Sequence, residues 1–183
     1  GKDSQLWMAM TMLDSSRAKS VIAKKTSSNI NDVKNMIIWG NHSPTMYPDV
    51  ENVSINGKTA STVIDDMDWV ENDFLPTVQQ RGKAVIDARG ASSATSAAKA
   101  ALDTIIACEN TTDDGDCFSA AIASDGAYGV PEGLICGYPL ITLEDGNVEI
   151  KRDIVLSDFA MEKFKISIDE LSSEREAVKH LLK

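Results

Sequence analysis

A chain of 183 residues with 43% hydrophobic and 25% charged content can bury one sizeable core, which excludes an intrinsically disordered segment and fits a single globular domain. Its 18 Lys and Arg against 28 Asp and Glu leave a formal charge of −10. That balance argues against a nucleic-acid partner, whose affinity comes largely from cations on phosphates, and means that an anionic ligand needs a local cationic pocket.

In chain order, residues 6–13 are almost continuously apolar and read as a buried strand ending at Asp14, although a run this short could equally begin a helix. Ala18, Val21, Ile22 and Ala23 follow on one helical face, and Lys24 and Lys25 suit a helix C-terminus. Asn31 and Asp32 are placed to cap a single short turn before an apolar strand at residues 36–39, which Gly40 and Asn41 stop. His42 therefore falls just past a strand end.

Residues 43–62 carry Pro44, Pro48, Gly57 and scattered Ser, Thr and Asn, the composition of a loop or irregular strands. Residues 63–89 read as helical with an interruption at Pro76, because an internal proline removes a backbone donor and crowds the preceding turn. Gly90 is a loop signal, and Ser92 or Ser93 can cap an alanine-rich helix reaching about Cys108. Residues 118–123 and 134–142 read as strands, and Asp145-Gly146 as a two-residue hairpin turn into a strand at 148–151, together an antiparallel sheet. Ser167 and Glu170 have capping-box spacing and would open a final helix, with Leu171, Ala177, Val178, Leu181 and Leu182 as its buried stripe.

No apolar run approaches the ~20 residues that span a bilayer, and the first residues lack the basic-then-apolar pattern of a secretory signal, so no membrane partner is expected. Cys108, Cys117 and Cys136 are odd in number and lack CxxC spacing, which reads as buried reduced thiols rather than a metal site. A cytoplasmic location is the corresponding expectation.

Two histidines are present, and imidazole is the side chain that exchanges protons near neutral pH without perturbation. His180 lies in the last turn of the terminal helix, where a cation merely suits the helix dipole. His42, in a loop at a strand end, is the better acid/base candidate. Such a histidine needs a carboxylate to fix its tautomer and stabilise its protonated form. Asp14 is a candidate, with Arg17 three residues on, a spacing that can place both on one side of a helical turn. Guanidinium matches a carboxylate fork to fork, so an Asp/Arg/His trio could orient an acid/base and hold an acidic substrate together. On residue types alone, a local Asp14–Arg17 surface pair beside an unrelated histidine is the better account of the pattern.

The segments LDSSRAK at 13–19, VKNMIIWGNHS at 33–43, TVQQRGKAVI at 77–86, ARGASSA at 88–94 and SDGAYGVP at 124–131 resemble, in order, the catalytic segments of cytosolic malate dehydrogenases in the lactate/malate dehydrogenase family. The resemblance implies a mixed α/β fold, helices packed on a largely antiparallel sheet, like that family's C-terminal domain. It also implies that Asp14 orients His42, that Arg17 binds the substrate's C1 carboxylate, and that His42 moves a proton as malate and oxaloacetate interconvert, with NAD as hydride carrier. Ser92 or Ser93 would line the substrate or nicotinamide pocket, and the family's dimers place contacts near residues 17–24 and 77–100.

There are departures. Ser15 and Ser16 stand where His-Asn is usual, Met12 replaces a usual arginine, and Pro44 follows Ser43 where serine is familiar, restricting the loop that carries His42. No glycine-rich phosphate loop follows a strand, so the N-terminal dinucleotide-binding half of the family pattern is not in this chain. Two alternatives stay open: a lactate or other 2-hydroxyacid dehydrogenase, and a catalytically silent folding or dimerisation module.

Overall fold

Apolar residues recurring at helical spacing put Ala18, Ile22 and Ala23 inward on the first helix of the computed structural model, which describes residues 7–181. That helix, α1 (Met12–Thr26), leads through a 3-10 turn (Ile30–Asp32) into β1 (Val33–Lys34) and the fully buried β2 (Ile37–Trp39). β3 (Tyr47–Asp49) returns antiparallel to β2, with Trp39 opposite Tyr47, while β4 (Ser54–Ile55) and β5 (Lys58–Thr59) form a small sheet with β1.

A helical stretch follows: α2 (Ala60–Ile64), α3 (Met67–Trp69), a π turn (Val70–Phe74), α4 (Leu75–Gln79), α5 (Arg81–Arg89) and α6 (Thr95–Glu109). An antiparallel meander of β6 (Phe118–Ala123), β7 (Ile135–Thr142) and β8 (Val148–Ile150) precedes the long α7 (Asp158–Val178). The result is the mixed α/β arrangement expected from the sequence.

The core closes around Trp39, whose ring lies 4.7 Å from that of Tyr128 and 5.0 Å from that of Phe164. β2 is tied to the meander where Gly40 and Gly137 exchange backbone bonds of 3.2 and 2.7 Å. Gly40 also sits under α7: with φ at +87°, a Cβ there would lie 2.2 Å from Ser167 Oγ. Gly40→Ala is expected to lower the free energy of unfolding by roughly 2–5 kcal/mol, combining about 1–3 for overpacking with about 1–2 for a left-handed backbone. Gly57, at φ +76° in open space, carries the backbone cost alone, so Gly57→Ala should lose clearly less. Urea unfolding of the two variants checks this, and equal losses would contradict the steric part.

Several local expectations are corrected. The apolar run at 6–13 is not a buried strand. Only Ala9 pairs, with Ala121, Trp7 is 61% exposed, and the helix has begun by Met12; Leu6 lies outside the described residues. Asn29, not Asn31 or Asp32, caps the short turn. Pro76 does not interrupt its helix: the wider π ladder just upstream makes room for the ring, and the breaks fall at Asp65 and Gln80.

The turn between β7 and β8 runs from Leu143 to Gly146 with only Gly146 left-handed. A two-residue turn of the mirror-image type would need Asp145 at positive φ as well. Finally, α7 starts nine residues before Ser167, capped by Ser157, whose hydroxyl accepts from Ala160 N. Its inward stripe is Ala160, Phe164, Ser167 and Leu171, whereas Ala177, Val178 and Leu181 are exposed; Leu182 lies outside the described residues.

Cys117 and Cys136 are buried free thiols that burial pushes up to about 12, and Cys108 is half-buried. No helix among the described residues is long and apolar enough to cross a membrane.

Candidate active site

Asp14 occupies the first turn of α1, where unpaired backbone N–H groups favour a carboxylate, and its side chain is only 1% exposed. Each of its oxygens faces one of the other candidates. His42 Nδ1 lies 2.7 Å from Oδ2, and Arg17 Nη1 donates to Oδ1 at 3.3 Å. Among the described residues Oδ2 has no donor in aligned hydrogen-bond geometry, so His42 Nδ1 meets it as a close charge contact. The structure thus brings Asp14, Arg17 and His42 together on one carboxylate.

Buried hydroxyls hold the two elements that carry this trio. Ser15 Oγ donates to Met36 O at 2.8 Å, joining α1 to the residue before β2. Thr11 Oγ1 and Ser119 Oγ are 2.9 Å apart, and Ser119 Oγ also accepts from Ile38 N at 3.0 Å. Ser15, noted in the sequence as a departure, is therefore a fastener between the aspartate helix and the histidine strand. The turn beyond β2 closes with Met46 N donating to Ser43 O at 3.1 Å, which places Pro44 where its fixed φ suits a β-turn.

The imidazole of His42 is held above its ordinary pKa, chiefly because the Asp14 carboxylate lies against its Nδ1; partial burial and the nearby Arg17 charge oppose this. With Nδ1 committed to Asp14 and the side chain 62% exposed, Nε2 on the other edge of the ring is left for a ligand. A protonated Nε2 can give a proton to a developing alkoxide, and a neutral one can take it back.

Arg17 Nη2 points to Ser93 Oγ at 3.4 Å. Ser93 is free for this contact because neither Ser92 nor Ser93 caps α6: the helix starts from Ala94 without a side-chain cap, and Ser92 is exposed. A cleft of about 540 Å³ opens beside Arg17 and is also lined by Arg81, Arg89 and Ser93, a local cationic pocket in an acidic chain. His42 does not line it and connects to it through the shared Asp14 carboxylate. An acid/base next to a guanidinium suits a substrate whose carboxylate adjoins a carbonyl or hydroxyl carbon.

Sequence reasoning missed a second layer. Ser167 and Glu170, read there as a capping box, lie mid-helix in α7 and grip the residues around His42: Ser167 Oγ accepts from Asn41 N at 2.7 Å, and Glu170 Oε2 accepts from Asn41 Nδ2 at 3.0 Å. Their three-residue spacing did signal a shared helix face.

Comparisons with known proteins bear on the fold and the family. A family model for the lactate/malate dehydrogenase alpha/beta C-terminal domain matches residues 11–182. A malate dehydrogenase of Cutibacterium acnes is 49% identical over 173 residues, covering 94% of this chain and 52% of that protein. The crystal structure of malate dehydrogenase from Naegleria fowleri superposes with a TM-score of 0.90 at 38% identity, over 98% of this chain and 55% of that one. A lactate dehydrogenase of Trichomonas vaginalis, solved in complex with NADH and oxamate, superposes equally well at 28% identity, over 98% of this chain and 56% of that one. The chain spans about half the length of these relatives.

Proposed function

The chain belongs to the lactate/malate dehydrogenase family, as its alpha/beta C-terminal domain, and we propose that it is the catalytic half of an NAD-dependent malate dehydrogenase. The observation that carries this reading is the single buried carboxylate of Asp14, shared by His42 and Arg17.

In the reduction of oxaloacetate, protonated His42 donates from Nε2 to the C2 carbonyl oxygen, and Asp14 stabilises the imidazolium while holding the Nδ1 proton in place. In the oxidation of malate, neutral His42 removes the hydroxyl proton. Arg17 holds the C1 carboxylate by its planar fork, and Ser93, within reach of Nη2, lines the same side. NAD supplies the hydride exchange at C2 when bound. The sheets among the described residues are all antiparallel, with no strand, glycine-rich turn and helix to cradle a dinucleotide, so its binding is assigned to a separate N-terminal unit.

The preference for malate over lactate is supported by the name of the 49% identical relative. A homodimer through α1 and residues 77–100 belongs to the same proposal: α5 buries none of its residues, and Ile86 on it is exposed. The reduced thiols are in keeping with the cytoplasm.

The test is to follow NADH absorbance with oxaloacetate or pyruvate, using this chain alone and joined to the dinucleotide-binding half of the Cutibacterium acnes relative. The chain alone should not turn over, because the nicotinamide must be held at near-attack distance from the substrate carbon. The joined protein should consume oxaloacetate in preference to pyruvate and lose activity with His42→Asn. Turnover by the chain alone at the joined protein's rate, abolished by His42→Asn, would refute this division of labour. A preference for pyruvate would refute the assignment to malate.

A further inference from the structure

The residues flanking His42 are held from one side by α7. Glu170 Oε2 alone receives Asn41 Nδ2 at 3.0 Å, Thr45 Oγ1 at 2.6 Å and the Ser43 hydroxyl. Ser167 Oγ takes Asn41 N at 2.7 Å and lies 3.1 Å from Thr45 Oγ1, and Glu174 Oε1 takes Asn41 Nδ2 at 3.1 Å. Asn41, Ser43 and Thr45 thus turn towards α7 and are part-buried, while His42, between them, is turned away and meets Asp14.

Packing does not fix the imidazole, whose side chain is mostly exposed. Its direction is set by the turn on either side, whose Asn41, Ser43 and Thr45 side chains are gathered onto one carboxylate. Burial pushes the Glu170 carboxyl up, but the bonds from Ser43, Thr45 and Asn41 together outweigh it and hold the group below its ordinary range, so it stays an ionised acceptor.

Building on the dehydrogenase reading above, we propose that Glu170 is a positioning residue for proton transfer: by clamping Asn41, Ser43 and Thr45 it sets the angle at which His42 meets Asp14. It touches neither His42 nor substrate, and acts through the turn.

The experiment is steady-state kinetics of the joined two-domain enzyme carrying Glu170→Ala or Glu170→Gln, alongside the unsubstituted protein and His42→Asn. Glu170→Ala should lower kcat for oxaloacetate reduction roughly 10–100-fold, the scale of an ångström-sized misplacement, with KM changed by less than about 3-fold. The basic limb of its kcat/KM profile should move to lower pH, because an imidazole that loses Asp14 falls back towards its ordinary value. Glu170→Gln keeps an oxygen acceptor towards the turn and should recover most of kcat. If Gln is as poor as Ala, the effect is one of charge and the positioning role is wrong. If Glu170→Ala melts earlier but keeps the kcat and pH limb of the parent, Glu170 is merely structural and the inference is overturned.

Should Glu170→Ala fail to fold, Thr45→Val decides, since it removes the Thr45 hydroxyl and its contacts with Glu170, Ser167 and Ser43 but leaves α7 unsubstituted. A smaller drop in kcat with the same shift of the limb supports the role, and no change in either overturns it. An unsubstituted enzyme without turnover, or turnover indifferent to His42→Asn, takes down the dehydrogenase reading and this inference together. His42-dependent turnover unaffected by Glu170→Ala takes down this inference alone.

Discussion

Replacing His42 by asparagine in the joined two-domain enzyme is expected to lower kcat for oxaloacetate reduction by roughly 10²–10⁴, the usual contribution of a positioned acid/base. Asparagine can still donate to the buried Asp14 oxygen that lies 2.7 Å from Nδ1, so the site is not left with an unpaired carboxylate. What it cannot do is exchange a proton.

The pH dependence carries the same assignment in its sign. His42 is held above its ordinary pKa by the Asp14 carboxylate against its Nδ1. Oxaloacetate reduction needs the imidazolium, so its kcat/KM should be full below that raised value and fall as pH rises through it. Malate oxidation needs the neutral ring, so its kcat/KM should rise through the same value. Both limbs should lie above about 6.5, the ordinary histidine value, and Asp14→Asn should bring them down towards it. Initial rates in both directions across pH measure this. A loss of only a few-fold with His42→Asn, or limbs that stay put in Asp14→Asn, would contradict the roles assigned to the pair.

Arg17→Lys is expected to cost roughly 10–150-fold in kcat/KM for oxaloacetate, equivalent to about 1.5–3 kcal/mol for a lost charge-assisted hydrogen bond. Lysine keeps the charge but not the planar fork. In the native site Nη1 reaches Asp14 at 3.3 Å while Nη2 reaches Ser93 at 3.4 Å, and a single ammonium cannot hold a substrate carboxylate in that fixed register. The pH limbs supply the control. The Arg17 charge lowers the His42 pKa, and Lys preserves the charge, so the limbs should scarcely move even as kcat/KM falls. Unchanged kcat/KM for oxaloacetate would remove Arg17 from substrate binding. A large shift of the limbs would mean that Arg17 acts by placing Asp14 and His42.

Much of the fold could be read from short-range pattern. The strand at 118–123 was legible as a short, largely apolar run, and the inward face of α1 from the spacing of Ala18, Ile22 and Ala23. Gly90 marked the end of α5, where it adopts the left-handed conformation that other residues avoid. The candidate trio was legible from residue chemistry and motif resemblance. These features depend on a residue and its near neighbours, which is the information a sequence holds directly.

Other features had two local solutions of similar merit. The apolar run at 6–13 could pair as a strand or enter a helix; with one pairing partner at Ala121, the helix claimed Met12 and carried Asp14 into its first turn. Ser93 could cap α6 or face Arg17, and the distant guanidinium decided. The Ser167/Glu170 spacing satisfies a capping box only where backbone N–H groups are unpaired. Ser157 had already started α7 upstream, so inside the helix those donors were taken and both side chains turned to the His42 turn. The sequence by itself determined which groups could do chemistry and, on α1, which face would be buried. Tertiary structure alone decided how Ser167 and Glu170 were partnered, because those choices turn on donors more than a hundred residues away, as with Asn41 and Ser167.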